Sequence, residues 1–149
     1  MMNRPLYESA QDLRNEHEVI ERVSLHLNAD YKKLPMSYKL DFAMHKMASG
    51  FVWFFCEVKV RTNPMNRYPT MMLNLDKVMA ARDLSKHTGI DSYLIVQWTD
   101  KLATINFAED FDVGFGGRRD RGDSQDVGLV AHFETSKFKE LGCYTTGTQ

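Results

Sequence analysis

Apolar residues recur at three- and four-residue steps across 8–27, ESAQDLRNEHEVIERVSLHL, where Leu13, Ile20, Val23 and Leu27 share one face and Ser9 can cap the start. That periodicity predicts a helix, broken by Asn28, Ala29 and Asp30. Residues 31–35 read as a short strand or an extended lead-in ending at Pro35. Over 37–45 the period changes to two, with Leu40, Phe42 and Met44 opposite Lys39, Asp41 and Ala43, which predicts a strand. A turn at 47–50 leads into 51–60, apolar on both faces and therefore a central strand covered on both sides. A polar loop with two prolines follows over 61–70. A second helix is predicted over 73–88, stopped by Gly89. Strands are then expected at 92–98 and 101–107. The segment 114–128 reads as a glycine- and charge-rich loop, expected to be mobile, with a last edge strand at 129–133 and a helical turn at 136–141.

This order predicts an α/β (α+β) domain with a mixed central β-sheet flanked by helices. The 149 residues suit a single domain spanning 1–149. Hydrophobic residues make up 43% and charged residues 26%, an ordinary globular balance with no run long enough to span a membrane. The N-terminal segment lacks the apolar stretch of a secretory signal. Cys56 and Cys143 have no CxxC or histidine partner, so a reduced, cytoplasmic setting is expected. A net charge of −1 does not advertise a nucleic-acid binder, yet local basic clusters matter more than the sum.

The chemistry sits in CEVKVR, 56–61. Glu57 and Lys59 lie two residues apart on the most apolar strand, so they project from one face. A buried charge is costly unless paired, hydrogen-bonded or metal-bound. Asp41 precedes Glu57 by sixteen residues with a turn between, so the two carboxylates can meet across the strand pair. Paired carboxylates repel unless a cation separates them, and oxygen donors of this kind suit Mg²⁺ or Mn²⁺. A lysine beside such an ion can orient a water or neutralise a phosphoryl transition state. Together these parts point to metal-assisted hydrolysis of a phosphodiester.

Asp41, a hairpin turn and then Glu57-Val58-Lys59 resemble the D-(X)n-ExK signature of the PD-(D/E)XK, or restriction-endonuclease-like, nuclease superfamily. The wider context, YKLDFAMHK, GFVWFFCEVKVR, LNLDKVMAARDL and SYLIVQW, is similar to phage members and to Holliday-junction-resolvase-like groups. The resemblance covers about residues 8–107. It implies a deoxyribonuclease with Asp41 and Glu57 holding the metal, the Val58 carbonyl as a third ligand and Lys59 acting on water or charge. It also implies a glutamate from the first helix, with Glu18 the first choice and Glu21 the second. Asp41 follows Leu40, where the family pattern has proline.

Each residue also has a plainer reading. Glu18 and Glu21 would sit on any solvated helix face, and Glu57 with Lys59 would serve as an ordinary ion pair. Arg61, Arg67, Lys77, Arg118 and Arg119 are candidate DNA-backbone contacts, where each would add sequence-blind, salt-sensitive affinity. The cluster GGRRDRGD, with Arg118, Arg119 and Arg121, reads as a solvated loop rather than a DNA-contacting flap. DNA is the expected partner, with a homodimer compatible and no membrane association. The expected setting is cytoplasmic, the host cytoplasm for a phage-encoded chain. The rival function is a nuclease fold kept as a non-catalytic module that binds nucleic acid or a protein.

Overall fold

Helix α1 (Ala10–Leu27) is followed by β1 (Ala29–Lys33), β2 (Phe42–Lys46), β3 (Phe54–Val60), β4 (Thr70–Asn74), α2 (Leu75–Thr88), β5 (Ser92–Gln97), β6 (Leu102–Asn106), β7 (Asp112–Gly117), β8 (Val127–Glu134) and β9 (Lys139–Gly142). The computed structural model describes residues 10–117 and 127–142. Six strands form the main sheet in the order β1-β2-β3-β5-β6-β9. Within it only β3 and β5 run parallel, joined by the crossover that carries β4 and α2. A separate antiparallel sheet has the order β4-β8-β7. No helix among the described residues is long and apolar enough to cross a membrane.

Strand β3 explains the layering. Its side chains alternate, so Phe54, Cys56 and Val58 face Val19, Ile20 and Val23 of α1. Phe55 faces the opposite side, where Leu73, Val78, Ala81 and Phe133 form the second core. Ile20 and Val23 are wholly buried, and each contributes about 1.5–3 kcal/mol relative to an exposed side chain. The mixed sheet thus has α1 on one face, and α2 with the smaller sheet on the other. By the same alternation Glu57 and Lys59 share the face of Phe55.

Several expectations change. Asp41 stands one residue before β2, because a 3-10 turn at Met36–Tyr38 and a left-handed Lys39 (φ 63) turn the chain away first. Strand β4 occupies part of the stretch expected as loop and helix start. Residues 114–117 belong to β7 rather than to a loop. The segment 129–133 lies in β8, the middle of the small sheet and not an edge. The helical turn expected at 136–141 is a 3-10 turn at Thr135–Lys137 followed by β9, which forms an edge of the main sheet. Helix α2 ends as expected, with Gly89 left-handed (φ 72) and its N–H bonded to the Ser85 carbonyl at 2.8 Å.

Candidate active site

The site is a fork between β2 and β3. Odd-numbered residues of β3 direct their N–H groups to β5, as Phe55 does to the Asp91 carbonyl at 3.0 Å. Val58 N–H therefore points toward β2. The last backbone link on that side is Asp41 N–H to the Cys56 carbonyl, 3.0 Å, after which the two chains part. A buried N–H left there would lack a partner. The Asp41 side chain supplies it: Oδ2 accepts from Val58 N–H at 2.8 Å. The aspartate is 8% exposed, so the bond is sheltered from water.

Glu57 is 2% exposed. Lys59 Nζ lies 3.4 Å from its Oε2, and Lys77 Nζ, arriving from α2, lies 3.4 Å from its Oε1. The Lys77 contact is an ion pair by distance but lacks hydrogen-bond geometry, so Oε1 is a buried oxygen without a hydrogen bond. Burial, and after it the negative charge of Asp41, push the Glu57 carboxyl up to about 7, while the two lysines pull the other way. Each Glu57 oxygen thus has an ammonium group beside it.

The family model described as phage putative PDDEXK endonuclease matches residues 2–141. The chain belongs to that family. Among curated proteins no sequence matches. Among solved structures the fold is similar to Hjc, a Holliday junction resolvase from the archaeal hyperthermophile Archaeoglobus fulgidus, with a TM-score of 0.59 at 10% identity. The match covers 92% of this chain and 100% of that one, and at such identity it speaks for the fold.

In this PDDEXK chain the helix glutamate nearest the fork is Glu16, not Glu18. Lys33 Nζ lies 3.5 Å from Glu16 Oε1 and 3.4 Å from Asp41 Oδ1, linking α1 to the fork through β1. Glu16 is buried because it precedes Val19 and Ile20 by three and four residues, on the face that packs against the sheet. Glu18, two positions on, is exposed and lines the outer wall of the groove that also contains Glu16 and Lys33. Glu21 is exposed and accepts the Tyr31 hydroxyl proton. The spacing from Glu16 to the apolar stripe was present in the sequence. Lys33 had no comparable signal, because its two partners come from distant segments.

The other expected residues separate. Lys77 is at the site, on Glu57. Arg61 is half-buried two residues beyond Lys59, and Arg67 stacks 5.7 Å from the centroid of the Tyr68 ring. Arg118 and Arg119 lie outside the described residues. Gln97, on β5, faces α1: it accepts from Arg22 Nη1 at 2.6 Å and donates to the Trp98 carbonyl at 2.6 Å.

The donor types are those a divalent ion takes. Among the described residues no three His, Cys, Asp or Glu side chains cluster as a metal-binding group. Mg²⁺ commonly takes only one or two carboxylates, completing its shell with water and phosphate oxygens. Asp41 and Glu57 are hard oxygen donors, and the Glu57 oxygen without a hydrogen bond is a donor atom still to be satisfied.

Proposed function

We propose that the chain is a Mg²⁺- or Mn²⁺-dependent deoxyribonuclease that hydrolyses phosphodiester bonds at the β2–β3 fork. The observation that carries this reading is the buried Glu57 with Lys59 at 3.4 Å and one oxygen without a hydrogen bond, on the strand whose Val58 N–H the Asp41 carboxylate accepts. Asp41, Glu57 and the Val58 carbonyl would hold the ion. Polarising a phosphoryl oxygen and acidifying a water is the chemistry the ion supplies when bound.

The remaining work falls to the chain itself. Val58 N–H and Lys33 hold the two oxygens of Asp41 from opposite sides. Glu16 steadies Lys33 and, through it, the orientation of Asp41. Lys59, one-third exposed, has an ammonium that can turn from Glu57 toward the phosphate and meet the charge that develops there. Lys77 keeps a positive charge beside Glu57 while Lys59 is engaged. Arg61, Arg67, Arg118 and Arg119 would grip the DNA backbone. Two copies acting together would cut both strands, in the cytoplasm of the infected cell.

The test is cleavage of supercoiled and branched DNA in Mg²⁺, Mn²⁺ and EDTA. Wild type should cut with either ion and stop in EDTA. Glu57→Gln and Lys59→Met should each lose about 10²-fold or more. Variants as active as wild type would end this reading.

A further inference from the structure

A cavity of about 530 Å³ opens on the Glu57–Lys59 face of β3, next along the strand from Lys59. Arg61, Asn63, Tyr68, Thr70, Trp98 and His132 contribute to its wall. Arg61 follows Lys59 by two residues, and its N–H bonds to the Gln97 carbonyl at 2.9 Å. The ladder to β5 therefore continues past the end of β3, and the alternation of faces continues with it. At a strand's rise the two basic residues stand roughly 7 Å apart along the backbone. That is the order of the step between neighbouring phosphates in one nucleic-acid strand.

Arg61 is half-buried, and burial pulls its pKa below the ordinary arginine range. Its guanidinium donates to the Val60 carbonyl at 3.3 Å and has no carboxylate at ion-pair distance among the described residues. A sheltered cation without a counter-ion is costly, and an anionic ligand would relieve that cost. The remaining wall suits what is attached to a phosphate. Thr70 Oγ1 and His132 Nδ1 lie 2.9 Å apart, which fixes the imidazole against the wall. Trp98 closes the apolar side, and Tyr68, 56% exposed, presents its ring at the rim.

We propose that this cavity receives one unpaired nucleotide of the substrate strand, its phosphate on Arg61 and its base against Tyr68. The assignment rests on the nuclease reading above for the path of the strand past Lys59. A cavity of this size lies within the roughly 300–1,000 Å³ range of small-molecule pockets. A base in an intact duplex enters only after unpairing, at a cost of about a few kcal/mol. The favoured substrate is then DNA with an unpaired nucleotide beside the cut, as at a flap, gap, fork or junction.

The experiment is fluorescence anisotropy in EDTA with a labelled oligo-dT and a blunt, fully paired duplex of equal length. Arg61→Gln should weaken oligo-dT binding about tenfold, as loss of one stacked nucleotide requires, and duplex binding by only about two- to threefold, through the backbone contact it would make to either DNA. It should also lower the salt slope for oligo-dT by about one. Met72→Trp, at a cavity-lining and 47% exposed position, should narrow the cavity and weaken oligo-dT selectively without that change in slope. Circular dichroism checks the fold, and the Met72 variant decides alone if the Arg61 variant does not fold. Equal losses on both DNAs, or no loss, would overturn the subsite. Because binding in EDTA needs no cleavage, the two readings fail separately. Arg61-dependent binding by a protein that never cuts would remove the nuclease and keep the subsite. Glu57-dependent cutting with unchanged binding by both variants would do the reverse.

Discussion

The Asp41 carboxylate takes the place of a missing strand partner for Val58, accepting its N–H at 2.8 Å where β2 and β3 part. One side chain thereby ends a sheet ladder and presents its second oxygen to Lys33. The structural and the proposed catalytic roles of Asp41 can be separated. Asp41→Asn keeps an acceptor for Val58, whereas Asp41→Ala orphans a buried N–H at a cost of about 1–3 kcal/mol. Both variants should lose cleavage, and only the alanine variant should show a large drop in urea-unfolding stability. Equal stabilities would mean that Val58 does not depend on residue 41.

Glu57 makes stability depend on pH. Its carboxyl is raised from 4.5 to about 7 in the folded protein. Between those values the folded chain keeps a proton that the unfolded chain releases, so stability falls as pH rises through the window and levels off above it. The full effect is on the order of 3 kcal/mol. Denaturant unfolding in EDTA at pH 5 and pH 8 should therefore show a steeper loss for wild type than for Glu57→Gln. Parallel losses would contradict the assignment.

Glu16 and Glu18 offer a clean comparison on one helix. Glu16→Gln weakens the hold on Lys33 and, through it, on Asp41, and should lower Mn²⁺-supported cleavage by about 10–100-fold, as loss of a supporting contact around a metal ligand does. Glu18→Gln, at an exposed position, should stay close to wild type. Mn²⁺ titration by calorimetry should show the same ranking without any turnover. The opposite order would return the helix role to Glu18.

Lys33 supplies the positive charge shared by Glu16 and Asp41. Lys33→Met leaves those acids without it. In EDTA the variant should lose about 1 kcal/mol or less, since the lysine is 42% exposed. Saturating Mg²⁺ should then raise its melting temperature by more than it raises wild type's, because ion binding stabilises the folded state and relieves the added repulsion. An equal rise in both proteins would separate Lys33 from the ion site.

Much was legible in the chain because its determinants are local. The apolar run through Phe54 and Cys56 marks a strand covered on both faces, and Gly89 marks the end of α2, since each depends on near neighbours. The shared face of Glu57 and Lys59 was legible too, because strand alternation sets it, whereas the place of Asp41 one residue before β2 was not, because the 3-10 turn at Met36–Tyr38 decides it. The small sheet was not legible: β4 pairs with β8, Thr70 opposite Glu134, and no local period reports so distant a partner. β7 holds Gly114 and Gly116, residues that read as part of a loop until β8 lies beside them. The burial of Glu16 and the exposure of Glu18 followed from which side of α1 meets the sheet, and Lys33 met Glu16 and Asp41 only when α1, β1 and the fork packed together. Alternation and helical spacing are properties of a single segment and can be read along the chain. The electrostatics around Asp41 and Glu57 come from charges on five segments, whose distances are set by packing.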